Sequence, residues 1–190
     1  MSEDKLTADE KRTLLDLARQ ALEGCVHGQK LPSLDLQSLP PRLQACGCSF
    51  VTLTINGELR GCIGALEPCQ PLVEDVREHA VAAALQDYRF QVVCPDELTK
   101  IKLEISRLTI PVPLEYCCAE DLLTKLRPGI DGVVLRDGLR RATFLPQVWD
   151  KVPDPACFLD SLCYKMGAVP DLWREKHLEV LVYQVEEFQE

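Results

Sequence analysis

The 190-residue sequence lacks the features of several large classes of protein. Its apolar runs stay well short of the roughly 18 residues that mark a membrane-spanning helix. No basic segment followed by an apolar one, the pattern of an export signal, stands at its amino terminus. We also find no internal repeat and no low-complexity segment. These absences predict a cytoplasmic protein of one large or two small domains that does not enter a membrane.

Positive charge is also scarce, because 21 lysines and arginines stand against 30 acidic residues. The formal net charge is −9 and the isoelectric point is about 4.9. Such a field repels nucleic-acid phosphates and anionic lipids, so we expect neither as a partner. Hydrophobic residues make up 46% of the chain and charged residues 27%, which is typical of a globular protein with a packed core.

The ten cysteines are unusual in number, yet they lack the spacings of metal sites. No CxxC pair and no CxxxCxxC pattern occurs; Cys46 and Cys48 form a lone CxC, and Cys117 and Cys118 are adjacent. Phosphate-binding and dinucleotide-binding glycine motifs are missing as well. We therefore expect no metal site and no cofactor. We interpret the cysteines as reduced thiols that serve mostly as small buried hydrophobic side chains.

The residues around the three histidines give little indication of a catalytic role. His27 and His79 have no serine or cysteine beside them to activate, and His177 stands at the start of a predicted strand. We interpret all three as ordinary surface or packing residues. A general base of the kind that cysteine nucleophiles usually recruit is therefore not evident from the sequence.

The spacing of apolar residues predicts helices interspersed with antiparallel hairpins, without regular βαβ repeats, and hence an α+β fold. The predicted helices cover Thr7–Gly24, Pro71–Gln86, Ala119–Leu126 and the segment between Asp154 and Gly167. The predicted strands are Phe50–Ile55, Glu58–Ile63, Ile101–Ser106, Gly132–Leu135, Leu139–Phe144 and Leu178–Val185. Two-residue turns at Asn56-Gly57 and Asp137-Gly138 close the two hairpins.

The return strand of the first hairpin carries an unusual combination of side chains. If the hairpin is regular, Arg60 and Cys62 project from the face that carries Leu53 of the first strand. A guanidinium two residues from a thiol favours the thiolate, and it can also bind a carboxylate or phosphate. The alternative is a buried cysteine beside an arginine that pairs with Glu58 or Glu104. Spacing alone does not decide between the two.

Gly61 and Gly64 leave Cys62 flanked by bare backbone. Glycine weakens a strand, and its presence often marks the close approach of a ligand or of another backbone segment. Backbone N–H groups beside a guanidinium suit a carboxylate or phosphate. Both glycines therefore join Arg60 in a candidate substrate-binding site.

The hexapeptide Leu59–Gly64 is similar to the signature of the AMMECR-type domain family, whose prokaryotic members are called AmmeMemoRadiSam system protein A. The resemblance extends from about Phe50 to the carboxyl terminus through further blocks in the same order. These blocks are Asp87–Phe90, Glu104–Ser106, Gly129–Gly132, Ala142–Pro146 and Phe158–Gly167.

The resemblance implies two α+β subdomains with the signature hexapeptide near the groove between them. We assign residues 1–44 and 95–190 to a larger subdomain and residues 45–94, with the signature hairpin and the helix after it, to a smaller one. No established reaction comes with the family. The name of its prokaryotic members implies a Memo-like protein and a radical-SAM enzyme as partners.

Taken with the resemblance, the residues predict Cys62 as the candidate nucleophile or thiol ligand and Arg60 as the anchor of an anion. Further substrate-binding candidates are polar residues of the matching blocks, namely Asp87, Arg89, Glu104 and Thr143. For the charged members of this group, a surface ion pair is the competing interpretation.

Two functions fit these residues. The first is an enzyme or enzyme subunit that binds a small anionic or carbonyl substrate in the groove and acts beside partner enzymes. The second is a non-catalytic module that presents the groove to a protein or peptide. A reachable, partly ionised thiol at Cys62 favours the first function, whereas a buried, inert thiol favours the second.

Overall fold

The computed structural model of the protein describes residues 5–190. These residues form two compact units, residues 5–108 with Glu186–Glu190, and Thr109–Val185. Residues Met1–Asp4 lie outside the described residues, and the expectation that the chain has no export signal rests largely on them. Helices and two antiparallel sheets confirm the α+β fold. Across residues 5–190, no helix has both the length and the apolar character needed to span a membrane.

The predicted helices and hairpins are all present, although their ends differ by a few residues. The helices are α1 (Ala8–Val26), α2 (Pro41–Gln44), α3 (Leu72–Leu85), α4 (Ala119–Lys125), α5 (Pro155–Lys165) and α6 (Leu172–Glu175). The strands are β1 (Cys46–Ile55), β2 (Glu58–Gly64), β3 (Gln70–Pro71), β4 (Ile101–Leu108), β5 (Val112–Pro113), β6 (Gly132–Asp137), β7 (Arg140–Phe144), β8 (Glu179–Tyr183) and β9 (Val185–Gln189).

Helix α1 begins with the capping box that the sequence predicts. The Thr7 hydroxyl accepts a hydrogen bond from the Glu10 backbone N–H at 3.2 Å, and the Thr7 N–H donates to the Glu10 carboxylate at 2.7 Å. The helix buries Leu14, Ala18 and Leu22, and it packs against α3 in the core of the first unit.

The sheet of the first unit has the strand order β2-β1-β4-β9, with the short β3 added to β1. One face carries fully buried residues such as Val51, Leu53 and Leu103, which share a core with α1 and α3. On the other face, the side chains of Thr52 and Glu104 are only partly buried. This second face therefore presents polar groups that the protein core does not cover.

The turn of the first hairpin is confirmed. Asn56 and Gly57 have φ values of 54° and 83°, and they connect the directly opposed residues Ile55 and Glu58. Positive φ at both central residues is the geometry that an Asn-Gly pair adopts most readily.

Beyond the turn, a β-bulge changes which side chains share a face. Leu53 pairs with Gly61 and Thr52 pairs with Cys62, so Arg60 is an extra residue without a partner in β1. The prediction that Cys62 lies on the face of Leu53 is therefore wrong. One extra residue reverses the alternation of every later side chain in the strand, and sequence periodicity does not reveal where that residue falls.

The two compact units divide the chain differently from the subdomains assigned at residues 44 and 94. Strand β1 pairs with β4 along most of its length, from Cys48 opposite Leu108 to Ile55 opposite Ile101. Residues on both sides of position 94 therefore belong to one sheet. The boundary between the units falls after Leu108.

The second unit is built on a sheet with the order β5-β8-β6-β7. Its core contains Trp149 and Phe158, whose rings stack with centroids 3.7 Å apart. Asp154 caps α5 by accepting from the Cys157 N–H at 2.9 Å, and Gly167 beyond its end has a φ of 78°. Both ends of this helix agree with the prediction.

Two details of the second unit differ from the prediction. Asp137 pairs with Arg140, so the hairpin turn is Gly138-Leu139 rather than Asp137-Gly138. The predicted strand Leu178–Val185 is divided at Gln184, because β8 joins the four-stranded sheet and β9 joins the five-stranded one. A continuous apolar alternation does not indicate that consecutive residues pair with different sheets.

The cysteines are more exposed than the sequence predicts. All ten, which lie within residues 5–190, are free thiols. Only Cys48 and Cys163 are buried, whereas six are exposed and two are intermediate. Their interpretation as mostly buried hydrophobic residues is therefore wrong. Several stand at the start of an element, such as Cys46 in β1 and Cys118 before α4, where side chains reach solvent.

Candidate functional site

Both backbone polar groups of Cys62 are held by side chains. Strand β2 lies at the edge of its sheet, so the groups that point away from β1 have no neighbouring strand. The Cys62 N–H donates to Oδ2 of Asp87 at 2.8 Å, and Nη2 of Arg89 donates to the Cys62 carbonyl at 3.2 Å. The two side chains thus replace the hydrogen bonds that another strand would provide.

Asp87 and Arg89 also bind each other. Nε and Nη2 of Arg89 donate to the two carboxylate oxygens of Asp87 at 2.8 Å and 2.6 Å. The hydrogen bonds from Arg89, with smaller contributions from the N–H groups of Cys62 and Arg89, hold the pKa of Asp87 well below its usual range. Asp87 is therefore a carboxylate at neutral pH although its side chain is buried. Charged hydrogen bonds of this kind fix geometry more firmly than neutral ones.

The Cys62 thiol faces the neighbouring strand. The Thr52 hydroxyl donates to Sγ of Cys62 at 3.3 Å, and both side chains are partly buried. Glu104 of β4 lies opposite Thr52 on its other side. Because directly opposed residues of neighbouring strands project from the same face, Cys62, Thr52 and Glu104 form a line across three strands, which we call the thiol row.

Glu104 has no hydrogen bond or ion pair to another side chain within residues 5–190. Partial burial raises the pKa of its carboxyl group, and the negative charge of Glu187 raises it further. A carboxyl group with a raised pKa holds and releases a proton closer to neutral pH than an ordinary glutamate does. Glu104 is therefore the candidate proton acceptor of the thiol row.

Arg60 is engaged away from the thiol row. Its Nε and Nη2 donate to the two carboxylate oxygens of Glu97 at 2.7 Å and 3.0 Å. The same carboxylate accepts from the Cys94 N–H at 2.8 Å, so it connects β2 to the turn at residues 94–97. The Arg60 guanidinium lowers the pKa of Glu97. The arginine that contacts the Cys62 residue is Arg89.

The two glycines of the hexapeptide are explained by packing within the first unit. A Cβ atom on Gly61 would lie under 3.0 Å from the carbonyl oxygen of Ala83 in α3. A Cβ atom on Gly64 would lie under 3.0 Å from the ring of Phe50 and from the carbonyl oxygen of Ser49. The close approaches that the sequence predicts are made by the protein's own helix, ring and backbone.

Thr143 lies in the second unit, on β7. Its hydroxyl is 3.1 Å from the Tyr183 hydroxyl, and its carbonyl accepts from Nζ of Lys165 at 2.9 Å. The other predicted residues all lie in the first unit, on β2, in the segment after α3 and on β4. These are Arg60, Gly61, Cys62, Gly64, Asp87, Arg89 and Glu104.

Sequence reasoning missed Thr52 and Glu97. The position of Thr52 opposite Cys62 depends on the bulge, for which the sequence contains no signal. Glu97 stands three residues after Cys94 and closes a capping-box turn with it, a local pattern that could have been detected. Its pairing with Arg60 depends on tertiary structure.

A buried polar cluster joins α3 to β1. The Ser49 hydroxyl donates to Oδ2 of Asp75 at 2.7 Å, and Nδ1 of His79 lies 3.1 Å from the same oxygen. His79 is buried, which agrees with its interpretation as a packing residue. Among residues 5–190, no group of three or more histidine, cysteine or acidic side chains is arranged to hold a metal ion.

The fold and the site define a class of α+β protein with two antiparallel sheets and a cysteine fixed on an edge strand. The chain belongs to the AMMECR1 family, whose model matches residues 15–188. The resemblance of the chain to this family is thus confirmed.

Relatives cover nearly the whole chain. A protein of Methanothermobacter thermautotrophicus is 39% identical over 190 residues, which is 97% of this chain and 96% of the relative. A protein of Thermofilum pendens is 37% identical over 199 residues, covering 98% and 92%. The crystal structure of an uncharacterised protein from Pyrococcus horikoshii is similar, with a TM-score of 0.77, 32% identity, and coverage of 97% and 93%.

Proposed function

We propose that the protein is an enzyme or enzyme subunit in which the Cys62 thiol reacts with the carbonyl carbon of a small, anionic substrate. One observation carries the proposal. Both backbone groups of Cys62 are held by the Asp87–Arg89 pair, while its sulfur faces the Thr52 hydroxyl. A nucleophile needs a fixed position and a hydrogen-bonding partner, and Cys62 has both.

The thiol row supports a balanced first step. A bond forms between Sγ of Cys62 and the carbonyl carbon, and the π electrons of the carbonyl move to its oxygen. The Thr52 hydroxyl, which donates to Sγ at 3.3 Å, stabilises the sulfur as it loses its proton, and that proton passes through solvent water to the Glu104 carboxylate on the same face of the sheet. Burial raises the pKa of Glu104, so this carboxylate is a better proton acceptor than an exposed one.

The position of Arg89 supports the proposal that the substrate is anionic. Its Nε and Nη2 are used by Asp87 and by the Cys62 carbonyl, whereas Nη1 takes no part in these hydrogen bonds. The side chain is 45% exposed. A carboxylate or phosphate of the substrate is therefore able to bind Arg89 beside the reacting sulfur.

The first test is alkylation of the native protein by iodoacetamide, mapped by mass spectrometry. We expect Cys62 to be modified before unfolding and Thr52→Val to slow its modification by about tenfold, since a hydrogen bond to a charged group contributes about 1.5–3 kcal/mol. Thr54→Val is the matched control: Thr54 stands on the same face of β1 but opposite Leu59. If Cys62 reacts only after unfolding, or both variants behave alike, the proposal fails.

A non-catalytic module that binds a protein or peptide is the second candidate. Tyr88 favours it, because its side chain is 94% exposed between Asp87 and Arg89, whose mutual pairing fixes the turn. Exposed tyrosines on rigid turns are frequent anchors of protein interfaces. An unreactive Cys62 together with loss of peptide or protein binding in Tyr88→Ala would favour this function over the first.

We further propose that the protein acts in the cytoplasm beside a Memo-like protein and a radical-SAM enzyme. The proposal is supported by membership of the AMMECR1 family and by the partners that the name of the prokaryotic members implies. Co-purification of the full tagged chain from its native host, with identification of bound proteins and small molecules, tests it. Recovery of neither partner from a lysate that contains both would overturn it.

A further inference from the structure

The second unit contains a pocket that the Cys62 site does not use. Its volume is about 330 Å³, and it is formed by residues 116–120 and 173–177. The rings of Tyr116 and His177 stack in its wall with centroids 4.2 Å apart. Cys117 and Cys118 lie beside them, both exposed, with their sulfur atoms 3.9 Å apart.

Two exposed thiols in contact make a soft donor pair. Thiolates favour soft metal ions such as Cu(I), which is stably bound by only two sulfur ligands. A structural zinc site, by contrast, has four ligands, and no group of three or more candidate ligands occurs in the part of the chain that the structure describes. The pair therefore suits a soft, two-coordinate monovalent cation.

We propose that Cys117 and Cys118 bind one Cu(I) ion at the edge of this pocket. Two S–Cu bonds form and two thiol protons pass to solvent, so the complex of one Cu(I) and two thiolates has a net charge of −1. The ion is neither oxidised nor reduced. The site is independent of the function proposed for Cys62, which lies in the other unit.

An acidic side chain lies beside the two thiols. The Cys117 N–H donates to Oδ2 of Asp121 at 2.9 Å. The nearby Lys125 is already paired with Asp121 at 2.8 Å. A bound Cu(I) ion would offset the mutual repulsion of the two thiolates that hold it.

Competition for Cu(I) against the chromogenic chelator bathocuproine disulfonate, under anaerobic reducing conditions, tests the proposal on the full chain. We expect Cys117→Ser and Cys118→Ser each to lose one equivalent of tightly bound Cu(I). The matched control is Cys157→Ser. Cys157 is also exposed and lies in the same unit, and Asp154 raises the pKa of its thiol.

The comparison between variants separates this site from the other cysteines of the chain. Retention of the full wild-type stoichiometry by Cys117→Ser and Cys118→Ser would overturn the proposal. An equal loss in Cys157→Ser would also overturn it, since binding would then reflect exposed thiols in general. Circular dichroism of each variant checks that the exposed substitution leaves the fold intact.

Discussion

The sulfur of Cys62 accepts a hydrogen bond from the Thr52 hydroxyl at 3.3 Å, although an unbulged hairpin would have directed the two side chains to opposite faces. The bulge at Arg60 brings about this contact. It places the thiol on the polar face of the sheet and leaves the glycine at position 61 to pack against α3.

Asp87→Asn is expected to lower the free energy of unfolding at pH 7 by about 1–3 kcal/mol, because it weakens charged hydrogen bonds to a buried group. The pKa of Asp87 is lower in the folded protein than in the unfolded chain. The Asp87 carboxylate therefore contributes its full stabilisation above about pH 4, which is the pKa of an aspartate in the unfolded chain. This stabilisation is lost as the pH falls below that value. Urea unfolding between pH 7 and pH 3 measures both effects.

The control for this prediction is Asp96→Asn, since Asp96 is exposed. Its unfolding free energy should follow that of the wild type across the same pH range. An Asp87→Asn variant with wild-type stability at pH 7 and the wild-type acid dependence would contradict the role given to the Asp87–Arg89 pair.

Arg60→Met and Arg89→Met are expected to separate two roles that the sequence assigns to Arg60 alone. Arg60 pairs with Glu97, so its loss should reduce stability by about 1 kcal/mol while the alkylation rate of Cys62 stays near the wild-type value. Arg89 contacts the Cys62 carbonyl, so its loss should change that rate. Thermal unfolding and mapped alkylation provide the two readouts. A changed alkylation rate in Arg60→Met together with an unchanged rate in Arg89→Met would instead indicate that Arg60 is the partner of the thiol.

Gly61→Ala is expected to destabilise the first unit by about 1–3 kcal/mol, since the added Cβ atom collides with the Ala83 carbonyl oxygen. The matched control is Gly24→Ala in α1. A Cβ atom there meets nothing closer than 3.9 Å, and alanine favours a helix more than glycine does. Chemical denaturation of both variants should show loss of stability only for Gly61→Ala; equal stabilities would mean that β2 does not approach α3 as closely as described.

Gly57→Val is expected to lower the melting temperature by an amount that corresponds to about 1–3 kcal/mol. The position has open space around it, but its φ of 83° is strained for a β-branched residue. Gly57→Asn should cost much less, because asparagine tolerates positive φ. Calorimetric scans of the two variants check the turn; a valine variant that melts with the wild type would exclude this hairpin geometry.

The fold was predictable where its signals are local. The capping box at Thr7, the Asn56-Gly57 turn and the limits of α5 each depend on residues within a few positions of one another. The bulge at Arg60 and the break at Gln184 depend on which strands pair, and apolar alternation continues through both. The prediction therefore failed at the register of the first hairpin and at the continuity of the last strand.

The candidate site was predictable in composition but not in arrangement. The family resemblance directed attention to Cys62, Asp87, Arg89 and Glu104, and the structure brings these residues together around β2 or along the thiol row. Spacing suggested that Arg60 was the cation beside the thiol. The bidentate pair with Glu97 shows that a tertiary partner takes up this guanidinium.

The hydrogen bonds at the edge of β2 also bear on how molecules of this protein meet one another. An exposed strand edge is a template on which a second extended chain can add, and this is a common start of aggregation. The N–H and C=O groups of Cys62 would be part of such a template. Asp87 and Arg89 occupy both, so the edge that carries the thiol offers no free pair of backbone groups at that position to another polypeptide.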